Sequence, residues 1–592
     1  MRMPTTGVPG PTRQDRLRTA QEFIAAGRLE EAEALLEQVV ATSDPDTLSA
    51  KAAVALARQR TESAFELLVE AATGHPDHAG LATNLGIAYV LLGRFDEAVI
   101  CLKRAAALAP RSQEIKLTLA HALESRGDVA EARAITKAVV QDEPGNARAL
   151  LQLGTLDIGL RDYSSAEIAL LRALELVPND PDTLRNLSVL LFECGRFEEA
   201  LNVAEHAHLR APLDTAGLSH LAYCRAAMGL WAEAEATCRR LLAYAPTHLG
   251  AREILTRVMI ANGQEERAIA ELTTFVRAHK SRPAAALLLA DILRFVGRFD
   301  EALTLASYVS RTQPHDEAAK SLATALELTL GRFPRPEPAA LGVGMRVIVP
   351  PRTGALEFIA LARLLRRATS QQYVHVVAEP RYQALLRNVA EQAILDEPRS
   401  GLSTIPLQSL LRILSTDSRN IAVDVPYLRP DAELSAKWRD ALAAFPRPWV
   451  GIVWEGGALG LSMEQIAAVI PHSVTPVSLM TDARRHDMRR WSRPIDVGVH
   501  IEEPAEFIAA IANLDAVVGP DSFAIHIAGA LGLKGVVFVP RGYPWYWAQA
   551  DGKPLWYPSF EVVVQERLGD WSGPIDDGRL RLETLLRTQT ID

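Results

Sequence analysis

Ala64, Ala98, Ala132, Ala166, Ala200, Ala234, Ala268 and Ala302 stand 34 residues apart, and Ala32 precedes them at a spacing of 32. A fixed period of this length means an array, in which each unit buries its apolar face only against its neighbours. Five positions ahead of the alanines come Gly27, Gly93, Gly127, Gly195, Gly229, Gly263 and Gly297, with Gln59 and Arg161 as exceptions. Twelve positions behind come Pro76, Pro110, Pro144, Pro178, Pro212, Pro246 and Pro314, with Lys280 as the exception. Each mark has a cause. Glycine permits the turn between two helices, alanine lets the helices touch, and proline ends the second helix before the next unit.

Segments such as Leu92-Gly93-Arg94-Phe95-Asp96-Glu97-Ala98 and Cys194-Gly195-Arg196-Phe197-Glu198-Glu199-Ala200 closely resemble the tetratricopeptide repeat, and nine such repeats fill about residues 15–333. Stacked helical pairs form an α-solenoid whose inner face is an extended groove for a protein partner. Fourteen residues before the marker alanines stand Asn84, Thr118, Gln152, Asn186 and His220, a column of acceptor-binding candidates. Amides and hydroxyls in a row suit the backbone of an extended peptide. The column is similar to the asparagine ladder of repeat-bearing O-GlcNAc transferases, although only two members are Asn, and it gives way to Ile254 and Leu288. A merely solvated concave face is the alternative.

The net charge of -9 argues against a general nucleic-acid binder, which would carry a basic footprint. No apolar stretch approaches a membrane span, and the amino terminus, with Pro4, Pro9 and Pro11, lacks the apolar core of a signal peptide. Cys101, Cys194, Cys224 and Cys238 show no zinc spacing and read as buried thiols of a reducing compartment. These features predict a soluble, cytoplasmic protein.

After a stiff Pro-rich connection at 334–342 the 34-residue period stops and strands alternate with helices, which implies a parallel, doubly wound sheet. One stretch stands out, Gly519-Pro520-Asp521-Ser522-Phe523-Ala524-Ile525-His526 and on to Gly532. It reads as strand, tight turn and helix. A helix starting at Ser522 or Phe523 would point free N–H groups at the mouth of the sheet, a ready phosphate site. Asp521 could accept from sugar hydroxyls and His526, one turn in, could reach the same ligand. Ordinary helix capping explains the Asp and Ser as well.

Several segments then follow in a familiar order: Asp424-Val425-Pro426-Tyr427, Val450-Gly451-Ile452-Val453-Trp454, Asp521 to Gly532, Trp556-Tyr557-Pro558 and Gly569-Asp570-Trp571. In this order they resemble bacterial proteins that join tetratricopeptide repeats to a heptosyltransferase-like glycosyltransferase. The resemblance implies a Rossmann-like, two-lobed GT-B domain over 343–592, with lobes of about 343–432 and 446–592. The whole looks like the flagellin glycosyltransferases of some alphaproteobacteria, whose repeats hold flagellin while the second domain transfers a nonulosonic acid such as pseudaminic acid.

Carried over by position, Asp521 would contact the donor sugar, the backbone of Ser522 and Phe523 would bind donor phosphate, and His526 would orient the site. Glu357 aligns with the family's catalytic Asp and could take the acceptor's proton. The family's basic loop is here Glu455-Gly456-Gly457-Ala458-Leu459-Gly460, without a positive charge. A single-phosphate, CMP-linked donor needs less counter-charge than a diphosphate. Gly456 and Gly457 still allow close backbone approach, and Arg541, with Arg484 and Arg485, could supply charge from other loops. No Asp-x-Asp motif suited to a sugar-nucleotide cation is seen, so neither a metal nor a cofactor is expected beyond the nucleotide-sugar substrate. The alternative is a non-catalytic repeat scaffold or chaperone with a degenerate transferase domain.

Overall fold

The computed structural model describes residues 12–39, 44–333, 344–349, 353–379, 382–390, 401–414, 416–417, 420–421, 425–455 and 460–587. The Pro-rich connection at 334–342, Asp424, and the candidate residues Gly456 and Gly457 lie outside them. Nineteen described helices follow one another from Arg13 to Thr329, each 9 to 14 residues long. The marker alanines from Ala32 to Ala302 are at most 1% exposed, so nothing larger than a methyl fits where the paired helices meet.

All seven marker glycines adopt positive φ, from 72° to 101°. The two exceptions, Gln59 and Arg161, take the same left-handed turn at φ 59°. The period therefore dictates the backbone even where the residue resists it. A non-glycine residue in that region costs about 1–2 kcal/mol, partly offset by glycine's greater loss of freedom on folding. Arg161→Gly is expected to stabilise its repeat by about 0.5–1 kcal/mol, read as a raised denaturation midpoint.

A further mark of the period becomes visible in three dimensions. Asp44, His78, Ser112, Asn146, Asp180, Asp214, His248 and Asp316, again in steps of 34 or 68, each accept from the backbone three residues on and so cap the first helix of their repeat. The side chain fills one of the four N–H groups that every helix start leaves orphaned.

The chain forms two compact units, one of residues up to Leu191 with Val203–Ala211, the other of Phe192–Asn202 with Pro212–Asp592. The last repeats thus share a unit with the α/β half. In that half, strands β1 (Met345–Ile348), β2 (Val374–Val377) and β3 (Ser403–Pro406) form a parallel sheet in the order β2-β1-β3. A second parallel sheet contains β4 (Trp449–Ile452), β5 (Thr475–Ser478), β6 (Ile495–Asp496), β7 (Ala516–Pro520) and β8 (Gly535–Val539). Beyond a short hairpin of β9 (Gln549–Ala550) and β10 (Lys553–Pro554), it is completed by β11 (Phe560–Val564). Its order is β11-β8-β7-β4-β5-β6. Continuous apolar runs such as Val536-Val537-Phe538-Val539 are buried on both faces, as parallel strands require. One hydrophobic core joins both sheets, from Met345 and Phe358 to Val518 and Phe560.

Among the described residues no helix is long and apolar enough to cross a membrane. Among the described residues the four cysteines form no disulfide; Cys224 and Cys238 are buried, whereas Cys101 and Cys194 are only half-buried, against the sequence expectation. Burial pushes the Cys238 thiol up to about 12, so it is inert at neutral pH.

Candidate functional site

Strand β4 has β5 on one side and β7 on the other, so the winding of the larger sheet reverses there. In open parallel sheets such a reversal parts the loops at the carboxyl ends of the strands and leaves a crevice for ligand. The two loops at that reversal are Val453-Trp454-Glu455 after β4 and Asp521-Ser522-Phe523 after β7. The strands approach closely: a Cβ on Gly519 would lie 2.7 Å from the Val453 carbonyl oxygen.

The helix Phe523–Ala530 starts as the sequence predicts, with Ser522 as its extended N-cap. The Ser522 hydroxyl makes no capping bond and is buried without a partner. Phe523 stacks its ring on Phe507, centroids 5.9 Å apart.

Asp521 is held by three protein donors. Trp547 Nε1 and His526 Nε2 meet Oδ1 at 2.9 and 3.0 Å, and the Tyr546 hydroxyl meets Oδ2 at 3.1 Å. Its side chain keeps 16% exposure and one oxygen with a lone pair to spare. His526 is completely buried, with its other nitrogen on the Tyr557 hydroxyl, so it acts on Asp521 rather than on a ligand. The aromatic run Trp545-Tyr546-Trp547 is buried and supplies two of the three donors.

Burial raises the Glu455 carboxyl, the negative charge of Asp521 adds to this, and the Arg484 cation opposes it. Arg484 comes from the loop after β5, where it pairs with Asp482, so positive charge reaches the crevice from a neighbouring loop. Arg541 has an acidic partner of its own. Its guanidinium pairs with Glu265 of the late repeats at 3.1 Å, beside a cavity of about 270 Å³ lined also by Phe295, Arg567 and Asp570.

Glu357 lies in the first turn of the helix Ala355–Gln371, which follows β1. Burial raises its pKa against bonds from Gln408 and the Gly354 backbone. The second bond is half of a capping box, a structural use of the same carboxylate. Burial raises the Tyr546 hydroxyl most, and the charges of Asp521 and Glu357 both add to the shift. The two acids, one from each sheet's loops, therefore act on one tyrosine.

In the repeats, Asn84 Nδ2 donates to the Ser49 carbonyl at 2.8 Å and Gln152 Nε2 to the Leu117 carbonyl at 3.1 Å, each tying one repeat to the one before. Thr118 and Asn186 bond carbonyls within their own helices, at 2.9 Å each. His220 contacts Cys224 Sγ at 3.4 Å. The column thus commits donors to the protein itself, both hydrogens of the Asn84 amide included, which reduces what it can offer a peptide. Sequence reading missed Tyr427, Tyr546, Trp547 and Tyr557 as parts of the Asp521 site. Their signal was present only as aromatic clusters, equally suited to a core.

Matches to the tetratricopeptide repeat family cover residues 55–122, 123–188, 182–211 and 283–307. The first half of the chain is built of these repeats. A 109-residue stretch is 32% identical to the human protein O-mannosyl-transferase TMTC1 and covers 18% of this chain. The chain spans only 12% of that relative's length. Among solved structures, a thermophilic tetratricopeptide repeat protein of Thermus thermophilus is 25% identical with a TM-score of 0.29, covering 30% of this chain and 100% of its own. The Cut9–Hcn1 hetero-tetramer of the APC/C is 16% identical with a TM-score of 0.38, covering 54% and 57%.

Proposed function

We propose that the chain is a protein O-glycosyltransferase of GT-B type that takes a sugar from a nucleotide-activated donor. The repeats hold the acceptor polypeptide; flagellin, with a nonulosonic acid as the sugar, is the pairing suggested by the sequence resemblance. The observation that carries this reading is Asp521, fixed by three donors at the switch point and beside a helix start whose capping hydroxyl is unused. The charge of Glu357, from the other sheet's loops, adds to the upward shift of the same tyrosine. The local likeness to a protein named for mannosyl transfer is in keeping with this but covers too little of that protein to specify a reaction.

In the proposed step Glu357 takes the proton of an acceptor Ser or Thr hydroxyl as its oxygen bonds to the anomeric carbon. The bond from that carbon to the donor phosphate breaks, and its electron pair leaves with the nucleotide phosphate. The N–H groups at the start of Phe523–Ala530 and the Arg484 cation meet that charge. Asp521 holds the sugar through Oδ2.

The test is the intact mass of the acceptor after incubation with nucleotide sugars, including CMP-linked acids. Glu357→Gln is expected to slow transfer about 100-fold or more. Because burial raises the Glu357 pKa, the acidic limb of the wild-type rate profile should lie above the ordinary glutamate value of 4.5 and vanish in the variant. A carboxyl with a raised folded-state pKa favours folding fully below 4.5, and that contribution is lost as pH rises through the raised value. Glu357→Gln should therefore gain stability relative to wild type as pH climbs through that window. The second reading, a non-catalytic scaffold, is favoured by the structural bonds that already engage Asp521 and Glu357. An acceptor mass unchanged with every donor would establish it.

A further inference from the structure

Behind Asp521 a line of hydrogen bonds runs through the interior to the helix that follows β1. His526 Nδ1 lies 2.8 Å from the Tyr557 hydroxyl, which lies 3.4 Å from the Tyr427 hydroxyl, and Tyr427 donates to the Ile359 carbonyl at 2.8 Å. His526, Tyr557 and Tyr427 are 0%, 0% and 1% exposed, so the line is closed to solvent. Two features keep it rigid. A Cβ on Gly529 would lie 2.4 Å from the Tyr557 ring, so that ring sits flush on the helix carrying His526. The buried Arg363 guanidinium lies over Tyr427, Tyr557 and Trp556, 4.8 to 5.4 Å from their centroids, and donates to the Ala360 and Ile421 carbonyls.

The positions of the protons follow from donor and acceptor chemistry. Trp547 Nε1 can only donate, so Asp521 Oδ1 is an acceptor, and the nitrogen 3.0 Å from it, His526 Nε2, must carry a hydrogen. A neutral imidazole protonated at Nε2 has a lone pair at Nδ1 and needs a donor there. Tyr427 gives its proton to Ile359, and the Tyr557 O–H supplies the remaining bond. In the opposite tautomer two lone pairs would face each other across 3.0 Å, and the carboxylate would be driven out of place.

We infer that Tyr557 is a positioning residue of the donor site: by donating to His526 Nδ1 it holds the imidazole as the Nε2–H tautomer, and the imidazole holds Asp521 with Oδ1 filled and Oδ2 able to accept a sugar hydroxyl. The purpose of the arrangement rests on the transferase reading, but the tautomer is a property of the folded chain and is measured without turnover.

The experiment uses the full-length chain labelled with ¹⁵N-histidine and long-range ¹H–¹⁵N correlation, with His526 picked out of the 14 histidines by the signal missing from His526→Asn. Wild type is expected to show a bare Nδ1 and a protonated Nε2. Tyr557→Phe, which removes one hydrogen bond, should move the tautomer ratio about fivefold towards Nδ1–H. A protonated Nδ1 in wild type overturns the inference, and so do ¹⁵N shifts left unmoved by Tyr557→Phe. If Tyr557→Phe fails to fold, the wild-type spectrum alone decides. A tyrosine that merely filled space would leave the tautomer untouched, and an inactive but correctly tautomeric protein would count against the transferase reading alone.

Discussion

Asp521→Ala is expected to cost the α/β half about 3–5 kcal/mol of folding stability and to abolish donor engagement. The stability loss comes from what is left behind. His526 and Trp547 are fully buried and Tyr546 nearly so, and each would lose its acceptor. A buried polar group stranded in this way costs about 1–3 kcal/mol. Asp521→Asn should be far milder. Its carbonyl can still accept from Trp547 and His526, and the Tyr546 hydroxyl can turn to accept from the new amide. The pair thus separates scaffold from chemistry, because Asn keeps the fold and loses the charge. Tryptophan fluorescence during denaturation is a selective probe, since eight of the nine tryptophans follow residue 430 and only Trp231 precedes it. An alanine variant within about 1 kcal/mol of wild type would show that the three bonds do not hold the site together.

Gly542→Val is the second large effect, and it acts on how the sheet meets the late repeats. A Cβ at 542 would lie 2.3 Å from the Arg294 carbonyl oxygen and 2.5 Å from the Phe295 Cα, both backbone atoms that cannot swing aside. Around this contact Arg541 pairs with Glu265, Arg294 Nη1 donates to the Gly542 carbonyl at 3.3 Å, and the rings of Tyr543 and Phe299 lie 5.3 Å apart. Leu568, from the loop after β11, packs onto the hydrophobic core of the same repeats. Overpacking of this kind costs about 1–3 kcal/mol where the neighbours can move, and here they cannot without parting the surfaces. The variant should show faster amide exchange in Pro283–Phe295 and lose transfer to a polypeptide while the spectrum of His526 stays native. Unchanged exchange would mean that the contact is not what joins the two.

Much of the fold was legible because it is written in local rules. The 34-residue period, the glycine turns and the run from Val536 to Val539 need only neighbours in the chain to act. The strand Phe560–Val564 carries the same kind of local signal, an apolar β-branched run. The strand Ser403–Pro406 is short and half polar, and only its pairing with β1 makes it a strand. At the site, Asp521 and the helix start were legible because a strand, a tight turn and a small-residue helix are contiguous. The bonds that restrain Asp521 were not, since Tyr546, Trp547 and Tyr557 are distant in sequence and look like core residues. Arg541 was read as donor charge because a loop arginine shows nothing of the acid it will face, which proved to be Glu265.

By itself the sequence determined the repeat array, down to the left-handed turns that Gln59 and Arg161 are made to adopt, because a period imposes the same packing on every unit. It also determined that a parallel α/β half follows. Only the tertiary structure decided which loops share a crevice, that His526 backs Asp521 instead of facing a ligand, and that the last repeats form one compact unit with the sheet. Those outcomes depend on strand order and on donors brought together from far along the chain, and neither strand order nor long-range pairing leaves a mark on any short stretch of sequence.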